Sequence, residues 1–552
     1  MASSSKKSFL IPILLVVAGA IMFLPFLGKV HLFDWDEINF AECAREMIAA
    51  KQYFLVTINY LPFWEKPPLF IWMQALSMKL FGVSDYAARF PNALCGIVTM
   101  LVLYNTGKLL KDKRFGLLWV LVYVGSLLPH FYFKSGIIDP WFNLFIFSGV
   151  YFFMRFQMRK KNMMQGSKMH LVLSAFFIGL AMLTKGPVAF LIFSLTTVIY
   201  WWMERRWNLI NFRQGVVYLL VVFAAGGAWF ASEALTGHWD TIKQFIAYQI
   251  RLFNTQDSGH GGPFYYHFII LLIGCFPASI FAIRGMMIKP QDDKMREAAR
   301  WMGILFWVVL ILFSIVKTKI LHYSSLCYYP LTFFAALALY ELFENAAIWK
   351  KWMGWTIGIL GGTLVIALAL LPVAGMNKQA LIPYIKDPFA VANLDANVTW
   401  AYTDSIVGFI LLASLISGFI FIKRGRVALG AVAFFVGTLI TTNTALIIIA
   451  PKIEQITQES AIDFYQSLKG KDVYVTTIDF KSYAHYFYSD EQPWKDSRCT
   501  DNDWLLHGNI DKPAYFVCKV NRANDIEKEN PQLKELYRKN GFVFLQRALS
   551  SQ

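Results

Sequence analysis

Asp36, Glu37 and Glu42 place three acids within seven residues of the stretch Phe33-Asp34-Trp35-Asp36-Glu37-Ile38-Asn39-Phe40-Ala41-Glu42. Carboxylates at a membrane surface are costly unless they bind something or are solvated. The competing reading is a helix start capped by Asp36. Downstream lies Trp64-Glu65-Lys66-Pro67-Pro68-Leu69, where two prolines fix the backbone and remove two N–H donors. A lysine held there suits a lipid phosphate, or snorkels at the interface. In Lys134-Ser135-Gly136-Ile137-Ile138-Asp139-Pro140, Asp139 is either a functional acid or an N-cap ahead of a proline. Lys185-Gly186-Pro187 marks a tight turn with an interfacial lysine. His260-Gly261-Gly262-Pro263 follows Arg251 and Asn254, and Lys317-Thr318-Lys319-Ile320-Leu321-His322-Tyr323 puts two lysines and a tyrosine at one membrane edge. Basic residues on a face otherwise poor in them call for an anionic partner, and a phosphate is the obvious one.

The elements that must position these groups are membrane helices. Of 552 residues, 57% are hydrophobic and only 16% charged, against about 25% charged in a soluble domain. That excludes a water-soluble enzyme, a disordered chain and a disulfide scaffold. Apolar runs of about 20 residues recur along the chain and predict a polytopic α-helical membrane protein. Thirteen candidate spans lie near 8–28, 88–107, 115–134, 140–156, 170–185, 187–203, 215–232, 265–284, 301–316, 324–343, 353–373, 404–422 and 427–450. The stretch 69–82 is apolar but short and belongs in the interface. A net charge of +16 is explained by the positive-inside rule, not by a nucleic-acid partner. Basic residues concentrate in every second loop, which assigns those loops to the cytoplasm. Loops 29–87, 233–264, 317–323 and 374–403 then face outward, and so does the tail.

After residue 450 the composition turns polar. Strand-like runs Val473–Ile478, Tyr515–Val520 and Phe542–Gln546 alternate with helical patterns near 455–468 and 531–539, which predicts a small α/β domain over 451–552. Six cysteines show no metal-binding spacing. Cys499 and Cys518 are equally compatible with a disulfide and with two free thiols.

Asp-Glu followed by Ala-Glu, Glu65-Lys66-Pro67-Pro68-Leu69, Phe81-Gly82-Val83-Ser84-Asp85-Tyr86-Ala87-Ala88-Arg89-Phe90-Pro91, Leu183-Thr184-Lys185-Gly186-Pro187 and Lys317-Thr318-Lys319 with Tyr323 together resemble the aminoarabinose-transferase branch of the bacterial protein-mannosyltransferase-like glycosyltransferases (glycosyltransferase family 39). The resemblance covers residues 30–330 by motif. It implies a GT-C fold of about 13 transmembrane helices over residues 1–450, with membrane-parallel helices in the first periplasmic loop (29–87). It also implies a periplasmic α/β domain over 451–552, in the bacterial inner membrane. The implied reaction is an inverting transfer from a polyprenyl-phosphate sugar to an acceptor on the periplasmic face. The sugar would be 4-amino-4-deoxy-L-arabinose and the acceptor lipid A. A protein O-glycosyltransferase or a surface-glycan ligase or polymerase is the alternative, and a lipid transporter is a more distant one.

Carried over by position, Asp36, with Glu37 beside it, and Asp139 are the expected catalytic acids. Lys66, Lys317, Lys319, Tyr323 and Lys185 are the expected donor-phosphate ligands, and Glu65 with His260 would hold a divalent, zinc-like metal. No cofactor is required by the chemistry. The partners implied are the lipid-linked donor, a lipid A, protein or glycan acceptor and the bilayer, with the chain acting as a monomer. On this reading Asp36, Lys66, Asp139 and Lys319 must share one outward cavity.

Overall fold

A computed structural model describes residues 2–164, 167–205, 210–255, 261–494 and 496–549. Among these residues, six helices are individually long and apolar enough to cross a membrane: Asp85–Leu110, Asp293–Ile315, Leu321–Glu344, Lys351–Met376, Tyr402–Lys423 and Val427–Thr457. Three bent pairs raise the number to nine if each is one span. They are Lys113–Val124 with Leu127–Lys134 (86°), Phe212–Gly226 with Ala228–Leu235 (60°) and Tyr266–Gly274 with Ala278–Met286 (110°). These nine coincide with nine of the thirteen expected spans. The other four expectations fall on the shorter apolar helices Phe9–Phe23, Met169–Lys185 and Val188–Glu204 and on the aromatic-rich helix Asp139–Lys160. The chain is a multi-pass membrane protein.

Helices pack around aromatic side chains and through glycines. A Cβ on Gly107 would lie 2.7 Å from the Gly116 Cα, so Asp85–Leu110 and Lys113–Val124 meet backbone to backbone at a position only glycine permits. Trp119, Phe147, Tyr329 and Phe333 fill the neighbouring core, with Phe147 stacked on Tyr329 at 4.5 Å.

The segment after the first helix contains the helix Asp36–Ala49, a short hairpin pairing Thr57–Ile58 with Leu61–Pro62, and the helix Leu69–Phe81. Its buried residues Ile38, Phe40 and Phe70 share one apolar core with Ile462, Phe464 and Phe544 of the tail. The tail therefore braces the segment that carries the acids.

The tail forms a four-stranded sheet in the order Tyr474–Thr477, Ala514–Lys519, Phe542–Arg547, Lys534–Lys539, parallel at the first pairing and antiparallel at the others. Three strands lie where expected. The helix expected near 531–539 is instead the exposed edge strand Lys534–Lys539. Asn540 (φ 48°) and Gly541 (φ 81°) explain the difference. Two consecutive left-handed residues make the two-residue hairpin turn that Asn-Gly favours, and Lys539 pairs directly with Phe542. Residue 450 lies inside the helix Val427–Thr457 rather than at a break, and a separate helix follows over Glu459–Ser467. Cys499 and Cys518 are both free thiols.

Candidate active site

The two acids expected to act sit at helix starts. Asp36 opens the helix Asp36–Ala49 and Asp139 opens Asp139–Lys160, yet neither helix start has a side-chain cap. The capping reading therefore fails for both, and their carboxylates are directed elsewhere. Trp35, just before Asp36, has φ 77°, a left-handed conformation that is strained for so bulky a residue. Asp36 is 37% exposed and lies 3.2 Å from His322 Nε2. Asp139 is 3% exposed, with Oδ1 2.7 Å from Lys185 Nζ and Oδ2 3.6 Å from the same His322 nitrogen. One imidazole thus stands between an accessible carboxylate and a buried one.

These groups line a cavity of about 600 Å³ that Lys66, Lys185, Arg251 and Tyr323 also face. Pro68 directly precedes the helix Leu69–Phe81, so the two prolines hold Lys66 at a fixed distance from its start. Lys66 Nζ lies 5.0 Å from the Tyr248 ring centroid, and the Arg251 guanidinium lies 5.1 Å from the same ring. Two cations therefore share one aromatic ring, an arrangement that tolerates positive charge away from water. Enclosure pushes the Lys66 ammonium below the usual lysine value, against the pull of the Glu65 and Asp36 carboxylates. Lys185 ends the helix Met169–Lys185 and lies 5.1 Å from the Tyr323 ring centroid.

Other expected residues lie differently. Glu37 reaches the cavity wall, but its carboxylate is consumed by structure. It accepts from Arg89 Nε at 3.0 Å and Arg89 Nη2 at 2.7 Å, from Phe33 N at 2.9 Å, and from Gly136 N. Burial raises its pKa, but the Arg89 charge and these bonds more than reverse that and hold it below the ordinary carboxylate range. It is a positioning residue that ties the start of one acid's helix to the loop leading into the other's.

Lys319 does not reach the cavity. Its ammonium donates to the carbonyls of Phe313, Ser314 and Val316 at 3.0, 2.6 and 2.6 Å. It thereby satisfies acceptors at the end of the helix Asp293–Ile315, where a cation also suits the helix dipole. Lys317 is exposed and lies outside the cavity wall. Glu65 lines the cavity, and His260 falls outside the described residues. Among the described residues no three His, Cys, Asp or Glu side chains gather in a way that could hold a metal.

The structure adds His322, Tyr248, Arg251 and Lys481 to the cavity wall. His322 stood inside the lysine-tyrosine motif, and Arg251 stood just ahead of the glycine-rich loop. Lys481 comes from the tail and packs over Trp35 and Tyr483 at 5.7 and 5.2 Å.

Residues 65–229 match the dolichyl-phosphate-mannose-protein mannosyltransferase family. The chain is 24% identical over 436 residues to an undecaprenyl phosphate-alpha-4-amino-4-deoxy-L-arabinose arabinosyl transferase of Pectobacterium carotovorum, covering 74% of this chain and 75% of the relative. The protein of the same name from Aeromonas salmonicida is 25% identical, over 62% of this chain and 63% of the relative, so the match spans just under two thirds of that protein. In structure the chain is similar to ArnT from Cupriavidus metallidurans bound to undecaprenyl phosphate, with a TM-score of 0.77 at 18% identity, covering 98% of this chain and 99% of that one. The fold is that of ArnT. Family, relatives and fold all agree with the resemblance carried by the motifs.

Proposed function

We propose that this chain is an integral-membrane inverting glycosyltransferase that moves 4-amino-4-deoxy-L-arabinose from undecaprenyl phosphate to lipid A. It crosses the bacterial inner membrane thirteen times as a monomer. The cavity and the 451–552 domain face the periplasm, and the helices of the first loop lie along the membrane surface. One observation carries the reading. A single cavity sets an accessible carboxylate, Asp36, among the cations Lys66, Lys185 and Arg251, with Tyr248 and Tyr323 beside them.

In the proposed step an acceptor oxygen attacks the anomeric carbon. The bond from that carbon to the carrier phosphate oxygen breaks, and its electron pair leaves with the phosphate. A single displacement inverts the centre. Lys66 and Arg251 neutralise charge growing on the departing phosphate, a type of contact worth about 2.7–4 kcal/mol each when it behaves as an oxyanion donor does. Asp36 faces the sugar and acceptor. It takes the proton of a hydroxyl acceptor, or stabilises positive charge on the ring when the acceptor is already an anionic phosphate. Asp139 is a positioning residue here, because Lys185 and His322 occupy it.

The test is mass spectrometry of lipid A from cells carrying the wild type or Asp36→Asn at equal expression. An added aminoarabinose mass that is lost with the substitution supports the proposal. Unchanged lipid A with the sugar on protein or another glycan contradicts the acceptor, and no sugar transfer at all contradicts the activity.

A further inference from the structure

A second groove lies at the other end of the helix that Asp139 opens. Arg155 lies sixteen helical steps beyond Asp139, which at about 1.5 Å each puts the groove about 24 Å from the cavity. Arg155, Arg159 and Lys294 line it together with Leu109, Met163 and Met164, and it encloses about 1030 Å³. No carboxylate lines it among the described residues. Arg155 Nε is buried without an acceptor, and its guanidinium rests 5.8 Å from the Tyr151 ring centroid.

The adjoining groove on the far side of Met163 is the natural comparison. There Lys161 meets Glu204 at 2.6 Å and Glu297 at 3.1 Å, Arg300 pairs with both acids, and Arg296 meets Asp293 at 2.9 Å. Three cations face three acids. A general excess of basic residues on this face would leave both grooves positive, yet only one is. The uncompensated groove also carries an apolar rim. Leu109, 38% exposed at the end of Asp85–Leu110, and the two methionines offer surface to hydrocarbon beside the three charges.

We propose that this groove binds the head group of an anionic phospholipid, with Arg155, Arg159 and Lys294 on the phosphate and Leu109, Met163 and Met164 against the first methylenes of its chains. Basic pockets between membrane helices recognise such head groups, and each Lys or Arg near an anionic membrane surface contributes about 1 kcal/mol, or about fivefold in affinity. The site is separate from the cavity and does not depend on the glycosyltransferase reading.

The experiment is native mass spectrometry of the full-length detergent-solubilised protein titrated with phosphatidylglycerol or phosphatidylcholine. The wild type should retain phosphatidylglycerol in preference to phosphatidylcholine. Lys294→Gln should weaken that retention about fivefold, and Arg155→Gln/Arg159→Gln/Lys294→Gln more. Lys294→Arg should retain it, which separates charge from folding. Equal retention of the two lipids, or undiminished phosphatidylglycerol on both glutamine variants, overturns the proposal. Full displacement of the lipid by millimolar inorganic phosphate also overturns it, because the groove would then be a free-phosphate site.

Discussion

Glu37→Gln removes the charge from a carboxylate that holds four donors, two from Arg89 and the backbone N–H groups of Phe33 and Gly136. Glutamine keeps one carbonyl oxygen and turns the other position into a donor. About half of these contacts then become donor against donor, within a pair only 5% and 7% exposed. Two lost charge-assisted bonds at about 1.5–3 kcal/mol each agree with the about 3–5 kcal/mol expected for breaking a buried pair. Arg89→Gln should be worse, because Arg89 also donates to the carbonyls of Leu27, Val30 and His31. The assay is the fraction of monodisperse protein surviving a temperature series in detergent, with turnover per folded molecule measured at a low temperature. Glu37→Gln should lower the midpoint clearly while keeping turnover within about tenfold. Acidification should narrow the gap to wild type. The folded-state pKa of Glu37 is depressed, so its stabilisation is complete above the unfolded value and is lost as pH falls from there through the folded one. An unchanged midpoint with a hundredfold loss of turnover would refute the positioning role and put Glu37 at the chemistry.

Other consequences follow from the same geometry. The Lys66 ammonium is held below the usual lysine value, so turnover should fall on the alkaline side before an ordinary lysine titrates. Lys66→Arg should push that limb to higher pH, and an unmoved limb would clear Lys66 of responsibility. Lys319→Met strands the three carbonyls its ammonium serves and should cost about 1–3 kcal/mol with donor KM unchanged. A raised KM at full stability would return Lys319 to the cavity. Gly541→Ala demands a left-handed alanine whose Cβ meets Asn393 Oδ1 at 2.7 Å and Phe389 at 3.0 Å. Limited proteolysis should then nick the tail faster than in wild type, and an unchanged pattern would contradict the hairpin.

The sequence located the six long apolar helices and the three bent pairs, because a bilayer demands long apolar runs that composition exposes directly. Motif spacing also singled out Asp36, Lys66, Asp139, Lys185 and Tyr323, all of which line one cavity. What it could not give was direction. Lys319 lies four residues from Tyr323 yet turns back onto helix carbonyls, because an unsatisfied helix end competes for a nearby cation. Glu37 follows Asp36 in the chain, but consecutive helical residues project about 100° apart, and only one of them faces Arg89. Tyr248 and Lys481 sit in segments whose approach to the cavity is purely tertiary. The edge strand Lys534–Lys539 was readable after all, since Asn540-Gly541 is a strong hairpin signal. Its charged residues are those of a protected edge and invite a helical reading.

Purified wild type and Asp36→Asn, supplied with undecaprenyl-phosphate aminoarabinose and lipid A, test the central claim most directly. Initial rates should fall about 10²–10⁴-fold in the variant, with donor KM little changed, because Lys66 and Arg251 still receive the phosphate. Wild-type turnover by Asp36→Asn would contradict the account, since the accessible carboxylate at the heart of the cavity would then play no part in the transfer.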